Sequence, residues 1–457
     1  MSHAKSSSPL VRRLAISIFV PLICLGGIVR AQDAIRPSLA GEAAAEARRQ
    51  SIDKLPYNLE VGPIKFRFSA TMGIEYNDNI NLSQDDSFTF PNTTPGLPPI
   101  TITTRKQEDV ILHPQINLDA LWPITQLNTL RFDIGIGHSF YLDHSENDTN
   151  SILITPGSQL AFDIFVGDFR INLHDRFSLQ QDPVDEIALS NVADYGRFEN
   201  LAGVSVLWDL NQAVVTLGYD HYNFIATNDN FDYLDRAAEI FSGSIGFTPS
   251  STMTVGVEGN VVDTYYDKNV LNDSWTYSGG LFLETQLTSY LKIRVAGGYQ
   301  AIDFDNTGIV NDAHDLDDYY ANLLISHRVN SVFSHNLAIG HESQLGVNSN
   351  YVRISYIRHT ANWNIFYHTI FTTELFYEKA DDSGGQGTLF LPIPGVPNIN
   401  PFVAEHVHRY GGALSLGYQL TPHVTLGFRY QYTQKDSDRP LRDYRQNRVS
   451  LDGTYSF

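Results

Sequence analysis

The sequence predicts an all-β chain, a transmembrane up-and-down antiparallel β-barrel of about 18 strands, with 16 as the other count. Three observations carry this reading. Apolar and polar residues alternate at period two through residues 64–457, and the connections between alternating segments are short and long in turn. The last segment puts Val449, Leu451, Tyr455 and Phe457 on one face and Arg448, Ser450, Asp452, Thr454 and Ser456 on the other. Period two is the repeat of a strand. An apolar, aromatic face opposite a charged one suits a sheet with lipid on one side and water on the other. An amphipathic edge strand of a soluble sandwich would look the same in isolation.

The N-terminus is consistent with this. Lys5, Arg12 and Arg13 precede a mostly apolar run from Leu14 to Val29, and Val29-Arg30-Ala31 offers small residues for cleavage. Residues 1–31 therefore read as a signal peptide. A retained membrane helix needs about 20 apolar residues, which the run does not supply. The single cysteine, Cys24, falls inside this segment, so the expected mature chain has no disulfide. Residues 32–63 read as a short periplasmic N-terminal segment. Leu39 to Arg49, rich in Ala, Glu and Arg behind Ser38 as an N-cap, predicts a short helix there, and Pro56 ends the region. A mobile tail, a plug and a docking arm are the alternatives.

The barrel follows at 64–457. Its strands are expected at 64–77, 108–122, 128–142, 150–166, 168–180, 196–209, 212–226, 234–248, 251–265, 273–287, 290–304, 316–328, 331–344, 348–360, 362–378, 405–420, 422–434 and 443–457. Tight links such as Asp209-Leu210-Asn211-Gln212 and Val329-Asn330-Ser331 carry turn residues. They alternate with longer acidic or proline-rich loops, the pattern of periplasmic turns and outer loops. An even strand count brings both ends of the chain to the periplasmic side.

Each strand assigns its own faces. Phe66, Phe68, Ala70, Met72, Ile74 and Tyr76 point to lipid, and Lys65, Arg67, Ser69, Thr71, Gly73 and Glu75 point to the lumen. The same rule sets Leu130, Phe132, Ile134 and Ile136 outward against Arg131 and Asp133. A lipid-facing Arg or Lys at midplane costs about 2–4 kcal/mol, which fixes the register.

Composition narrows the function classes. The formal charge is −20, and the signal would remove only basic residues, so nucleic acid is excluded as a partner. The 24 Tyr and 26 Phe fit aromatic girdles at two interfaces. The expected location is the bacterial outer membrane, with its lipid and lipopolysaccharide as partners. Tyr455 and Phe457 read as a membrane-insertion signal, which makes the barrel-assembly machinery a further partner.

The opening segment, Phe66-Arg67-Phe68-Ser69-Ala70-Thr71-Met72-Gly73-Ile74-Glu75-Tyr76-Asn77-Asp78-Asn79-Ile80-Asn81-Leu82-Ser83, together with the C-terminus, resembles the outer-membrane β-barrel porin family (beta-barrel porin 2-like) often associated with exopolysaccharide loci. The resemblance implies an outer-membrane barrel whose transport role it leaves open, and it supplies no known catalytic residues; no cofactor is expected.

A pore is the expected function, passing small solutes or taking part in surface-polysaccharide export. The lumen-lining residues are expected to be Lys65, Arg67, Glu75, Asp119, Arg131, Asp133, Asp163, Arg170, Arg176, Glu284, Lys292, Arg294, Arg353 and Arg429. Mixed charge round a wall creates a transverse field that selects solutes; pairing across neighbouring strands would use the same charges structurally. Small inward residues such as Gly280, Gly298 and Ser415 would leave the lumen open. Two proline-rich apolar loops, at 91–100 and at Leu389, Phe390, Leu391, Pro392, Ile393 and Pro394, are expected to tuck into the mouth as a constriction or to face a partner.

Two other functions compete. A structural or surface-binding barrel would have a closed lumen. A barrel lipid hydrolase would place Ser, His and an acid on the lipid-facing rim, with His335, His341, His359 and His368 as the histidines available. No G-x-S-x-G elbow marks a nucleophile, and the 15 histidines read more simply as lumen and loop residues. Asp303 to Gly308 resembles the front of a calcium loop, but His314 stands where Glu would be needed. Asp303, Asp305 and Asp315 are thus weak metal candidates.

Overall fold

The computed structural model describes residues 57–457, except for 91–95, 97, 150–151, 310–311, 313, 367 and 385–403. Among these, one antiparallel sheet closes on itself. It contains 20 strand pieces, of which Leu59–Val61 is a flap and Phe140–Tyr141 continues its predecessor, leaving 18 staves.

The staves are β1 Ile64–Asn77, β2 Asp109–Pro123, β3 Thr129–Gly137, β4 Leu153–Val166, β5 Phe169–Gln180, β6 Arg197–Asp209, β7 Ala213–Ala226, β8 Arg236–Ser250 and β9 Met253–Tyr266. They continue as β10 Ser274–Thr288, β11 Leu291–Phe304, β12 Leu316–Arg328, β13 Phe333–Leu345, β14 Tyr351–Phe366, β15 Thr369–Asp382, β16 His406–Thr421, β17 Val424–Ser437 and β18 Tyr444–Ser456. Each pairs with the next, and β1 pairs antiparallel with β18 from Ser69↔Ser456 to Asn77↔Arg448.

Among the described residues, one end of the cylinder carries short turns: 124–128, 167–168, 210–212, 251–252, 289–290, 329–332 and 422–423, with His368 between β14 and β15. Their chemistry is local. Asn211 takes φ 67° while its N–H donates to Asp209 Oδ1 at 2.8 Å, and Asn330 Oδ1 accepts from the N–H groups of Val332 and Phe333. The other end carries the long loops. Both chain ends of the barrel lie at the turn end, as an even stave count requires.

The seam shows how the edge is managed. β18 reaches only as far as Ser69, so residues 64–68 of β1 would keep a free edge. Residues 57–63, the described part of the N-terminal segment, cover it: Gly62 turns at φ 60° and Leu59–Val61 pairs back onto Ile64–Phe66. The Asn58 side chain completes the ladder, donating to Phe68 O at 2.8 Å and accepting from Phe68 N–H at 3.1 Å. The signal peptide, Cys24 and the helix expected at Leu39–Arg49 lie outside the described residues.

One boundary departs from the sequence reading. The break expected at 361 is absent; β14 runs on to Phe366, and the turn includes His368 at φ 66°. Thr360 and Asn362, expected to end one strand and begin the next, are inward positions of a single stave.

The outward face is apolar as expected, with Met72, Ile74, Tyr76, Leu451, Tyr455 and Phe457 all exposed on the bare cylinder. Inside, the two halves differ. Near the turn end the lumen is open, and the Lys292 side chain is 55% exposed. Near the loop end it is filled, and Glu378, Arg409 and Lys435 are at most 2% exposed. Inward glycines there make room for rings instead of leaving space: a Cβ on Gly340 would meet the Tyr356 ring at 2.4 Å, and one on Gly280 would meet Tyr320 Oη at 2.5 Å.

Candidate functional site, a lumen crossed by one loop

The loop between β5 and β6, residues 181–196, leaves the wall and crosses the lumen. Its Pro183-Val184-Asp185-Glu186-Ile187-Ala188-Leu189 run winds into single turns, with Glu186 N–H bonded to Pro183 O at 3.1 Å and Leu189 N–H to Glu186 O at 3.2 Å. The apolar residues of this run are divided among separate clusters. Ala188 and Leu189 pack with Leu201, Tyr222, Phe224 and Ile240 on one wall. Ile187 packs with Val352, Ile354, Tyr356, Ala380 and Val407 on the wall opposite. Val184 packs with Leu82 and Tyr444 near the seam. A chain segment that touches three sectors of the wall spans the cavity.

A segment off the ladder must still satisfy its carbonyls. Side chains of the wall and of two neighbouring loops do this. Arg409 Nη1 donates to Val184 O at 2.7 Å while its Nε donates to Glu378 Oε2 at 2.9 Å. Lys435 Nζ donates to Leu189 O at 3.4 Å and Ser190 Oγ at 3.1 Å, and pairs with Glu405 at 3.2 Å. Arg442 donates to Ala188 O at 2.5 Å and Asn348 Nδ2 to the same oxygen at 3.3 Å. Arg448 grips Glu75 through Nε and Nη2 at 2.8 and 3.1 Å, and reaches Asp182 Oδ2 through Nη1 at 2.6 Å. Burial alone would raise the Asp182 carboxyl, but Arg448, the Val184 N–H and Arg197 bring it below the usual 3.8.

Of the residues expected to line the lumen, Lys65, Arg67, Glu75, Asp119, Arg131, Asp133, Asp163, Arg170, Arg176, Glu284, Lys292, Arg294 and Arg429 sit at inward positions of their staves. Most serve the wall itself. Arg67 Nε donates to Asp119 at 2.6 Å, Lys292 pairs with Glu284 at 2.8 Å, Arg294 with Glu258 at 2.8 Å and Arg429 with Glu374 at 2.9 Å. Arg353 is a correction. It lies on the outward face, in line with Ser343 on β13 and Asp381 on β15, because β14 keeps its even positions inward. Arg358 is the lumenal arginine of that stave, donating to Glu378 at 2.8 Å.

Residues 389–394 lie outside the described residues, and the described parts of the first loop form an exposed hairpin, Asp86–Phe90 with Ile100–Thr104, standing off the wall. The anchors Arg409, Lys435 and Arg442 and the loop 181–196 were not singled out, and Arg448 was named only as part of the polar face of the last strand. Arg409 and Arg448 stood in alternating strands at polar positions, and Lys435 fell one residue past the expected end of its strand. The loop's apolar run was hidden by Asp185 and Glu186 within it.

The weak metal candidates are dispersed. Asp315 accepts the Phe304 N–H at 2.9 Å, and Asp305 and Asp303 lie apart in a loop and on the outward face. Among the described residues no group of three or more His, Cys, Asp and Glu is placed to hold a metal ion. The histidines divide. His327, His335 and His359 neighbour one another on the outward face, and His341 lies outward beside Ser355. These are neither lumen nor loop positions, so the sequence reading of the histidines is corrected there.

No family model matches the chain, and no curated protein matches it. Among solved structures it is similar to OccK2 (OpdF) of Pseudomonas aeruginosa at 10% identity and TM-score 0.45, over 86% of this chain and 97% of that one. It is likewise similar to OccD3 (OpdP) of the same organism at 12% identity and TM-score 0.44, over 88% and 93%. A BenF-like porin from Pseudomonas fluorescens Pf-5 is similar at 10% identity and TM-score 0.47, over 86% and 99%.

Proposed function

We propose that this chain is an outer-membrane channel for small polar solutes, narrowed in its outer half by the loop 181–196. The single observation that carries the reading is the closed cylinder with an apolar exterior, a charged lumen open at the turn end, and one loop laid across the lumen. A closed antiparallel sheet leaves no unpaired edge, which makes it one of the structures able to cross lipid. At about 18 strands a cylinder encloses an aqueous lumen unless something folds into it. Here something does, and only over half the length.

The short turns then face the periplasm and the long loops face outward, toward lipopolysaccharide. Tyr455 and Phe457 stand at the turn end of the closing stave, the place from which an assembly machine would take up a C-terminal signal. Export of a surface polysaccharide is the less favoured form of the channel reading, because a polymer would have to displace a loop held by three wall cations, Arg409, Lys435 and Arg448, and by Arg442 of the loop before β18. A closed structural barrel is the second reading, supported by the filled outer half.

Conductance of the refolded chain in planar bilayers separates these. The channel is expected to conduct weakly, and removal of residues 184–190 to raise single-channel conductance several-fold. No conductance in either form would overturn the channel in favour of the closed barrel, and equal conductance in both would remove the loop as the constriction.

A further inference from the structure

A second constellation lies in the wall itself, where one ladder opens: His341 and Ser355 stand at outward positions and Asp318 at an inward one. The ladder between β12 and β13 stops at Ala321↔His341; beyond it, β12 stays paired with β11 and β13 with β14. Side chains occupy the seam that opens. His341 Nδ1 is 2.8 Å from Ser355 Oγ, its directly opposite neighbour on β14, and His341 Nε2 is 3.1 Å from Asp318 Oδ2.

The acid is held firmly. Asp318 Oδ1 accepts the Tyr319 N–H at 2.8 Å, and Oδ2 also accepts Ser343 Oγ at 3.0 Å. The Tyr319 ring stacks on the imidazole with centroids 4.4 Å apart and planes at 21°. With Nε2–H donated to the carboxylate, Nδ1 keeps its lone pair for the serine proton. Hydroxyl to imidazole to carboxylate is the chain of contacts that activates a serine. The side chains of His341 and Asp318 are 19% and 11% exposed, enough for a substrate to reach and little enough to hold their geometry.

The surroundings indicate the substrate. Lys379 stands directly opposite Ser355 in the β14–β15 ladder and Arg353 lies two residues along β14, with Asp381 opposite Arg353 and paired with Lys379 at 3.2 Å. Toward the turn end the outward face continues with Ile339, Ile357 and Leu375, at 37%, 48% and 59% exposure. A patch of mixed charge, Lys379, Arg353 and Asp381, above an apolar slope suits a molecule with a charged head and an acyl chain. We propose that Ser355, His341 and Asp318 form a serine acyl-hydrolase site that cleaves the ester of a glycerophospholipid lying against the barrel wall.

Ser355 Oγ attacks the ester carbonyl carbon while its proton passes to His341 Nδ1. The tetrahedral oxyanion collapses; the ester C–O bond breaks, and the leaving alkoxide takes the proton from His341. Water then adds to the acyl-serine carbonyl, giving its proton to His341. The Ser355 ester bond breaks, the proton returns to Oγ, and a fatty acid and a lysophospholipid are the products. Asp318 acts as a positioning residue for the imidazolium.

The test uses the full mature chain refolded in detergent and in phosphatidylglycerol vesicles, treated with an alkyl fluorophosphonate and digested for peptide mass analysis. The expected result is an adduct on the Ser355 peptide, absent in Ser355→Ala, with fatty-acid release falling about 10³-fold in Ser355→Ala and His341→Asn. Asp318→Asn is expected to lower kcat with KM held. Wild-type chain that conducts normally yet takes no adduct at Ser355, or release that persists undiminished in Ser355→Ala, would overturn the site and leave three groups that only staple the seam. Labelling of the wild-type chain decides the matter even if a variant fails to fold. Conductance of the same preparation reads the channel separately, so either proposal can fail alone.

Discussion

Arg409 illustrates how much one side chain can hold at this depth. It is 2% exposed, pairs with Glu378 and carries the Val184 carbonyl of the crossing loop. Replacing it with Met strands part of that charge, although Arg358 still reaches Glu378 at 2.8 Å. Breaking a buried pair from one side costs about 3–5 kcal/mol. The expected outcome of Arg409→Met is a lower thermal unfolding midpoint of the heat-modifiable band, together with higher conductance; an unchanged midpoint would show that Arg358 suffices. Asp182 gives a pH dependence with a definite sign. Its folded pKa lies below 3.8, so its stabilisation of the latch is complete above the unfolded value and is lost as pH falls through the lowered one. Conductance is therefore expected to stay level from neutral pH down to about 4 and to rise only below it. Asp182→Asn should abolish that acid step, and a step already present near pH 6 would point to other groups.

At the level of the element, staves and turns are decided by different things. A stave is specified by alternation over a dozen residues, and β1 appears over Ile64–Asn77, the bounds its period gives. A turn is specified by a few residues and competes with its neighbours, which is why the break expected near Ala361 moved to His368. Inward glycines belong to this scale too. Gly340 and Tyr356 face each other across β13 and β14, the ring lying over the bare backbone. Gly340→Ala is expected to displace that ring and destabilise by about 1–3 kcal/mol, read as a shift in the denaturant midpoint. Little or no shift would mean that the tyrosine has room to move. Counting such glycines as open lumen was a reading of volume from one strand, whereas the neighbouring stave supplies the atom that fills it.

For the whole molecule, the sequence by itself determined the cylinder. Period-two alternation, a repeated short and long spacing of connections and an aromatic final residue suffice, because a one-residue slip would turn every charged side chain outward. The wall positions of Arg67, Asp119, Arg131 and Arg429 were legible for the same reason. The contents of the cylinder, and what gathers in its wall, were decided by tertiary structure. Loop 181–196 meets β16, β17 and β18, which are more than 200 residues further along the chain, and no local pattern links Val184 to Arg409 or Leu189 to Lys435. Ser355, His341 and Asp318 likewise come from three staves and meet only where one ladder ends. Alternation says which face a residue takes; which residues become neighbours on that face depends on register, shear and the path of loops, and these are set only when the sheet closes.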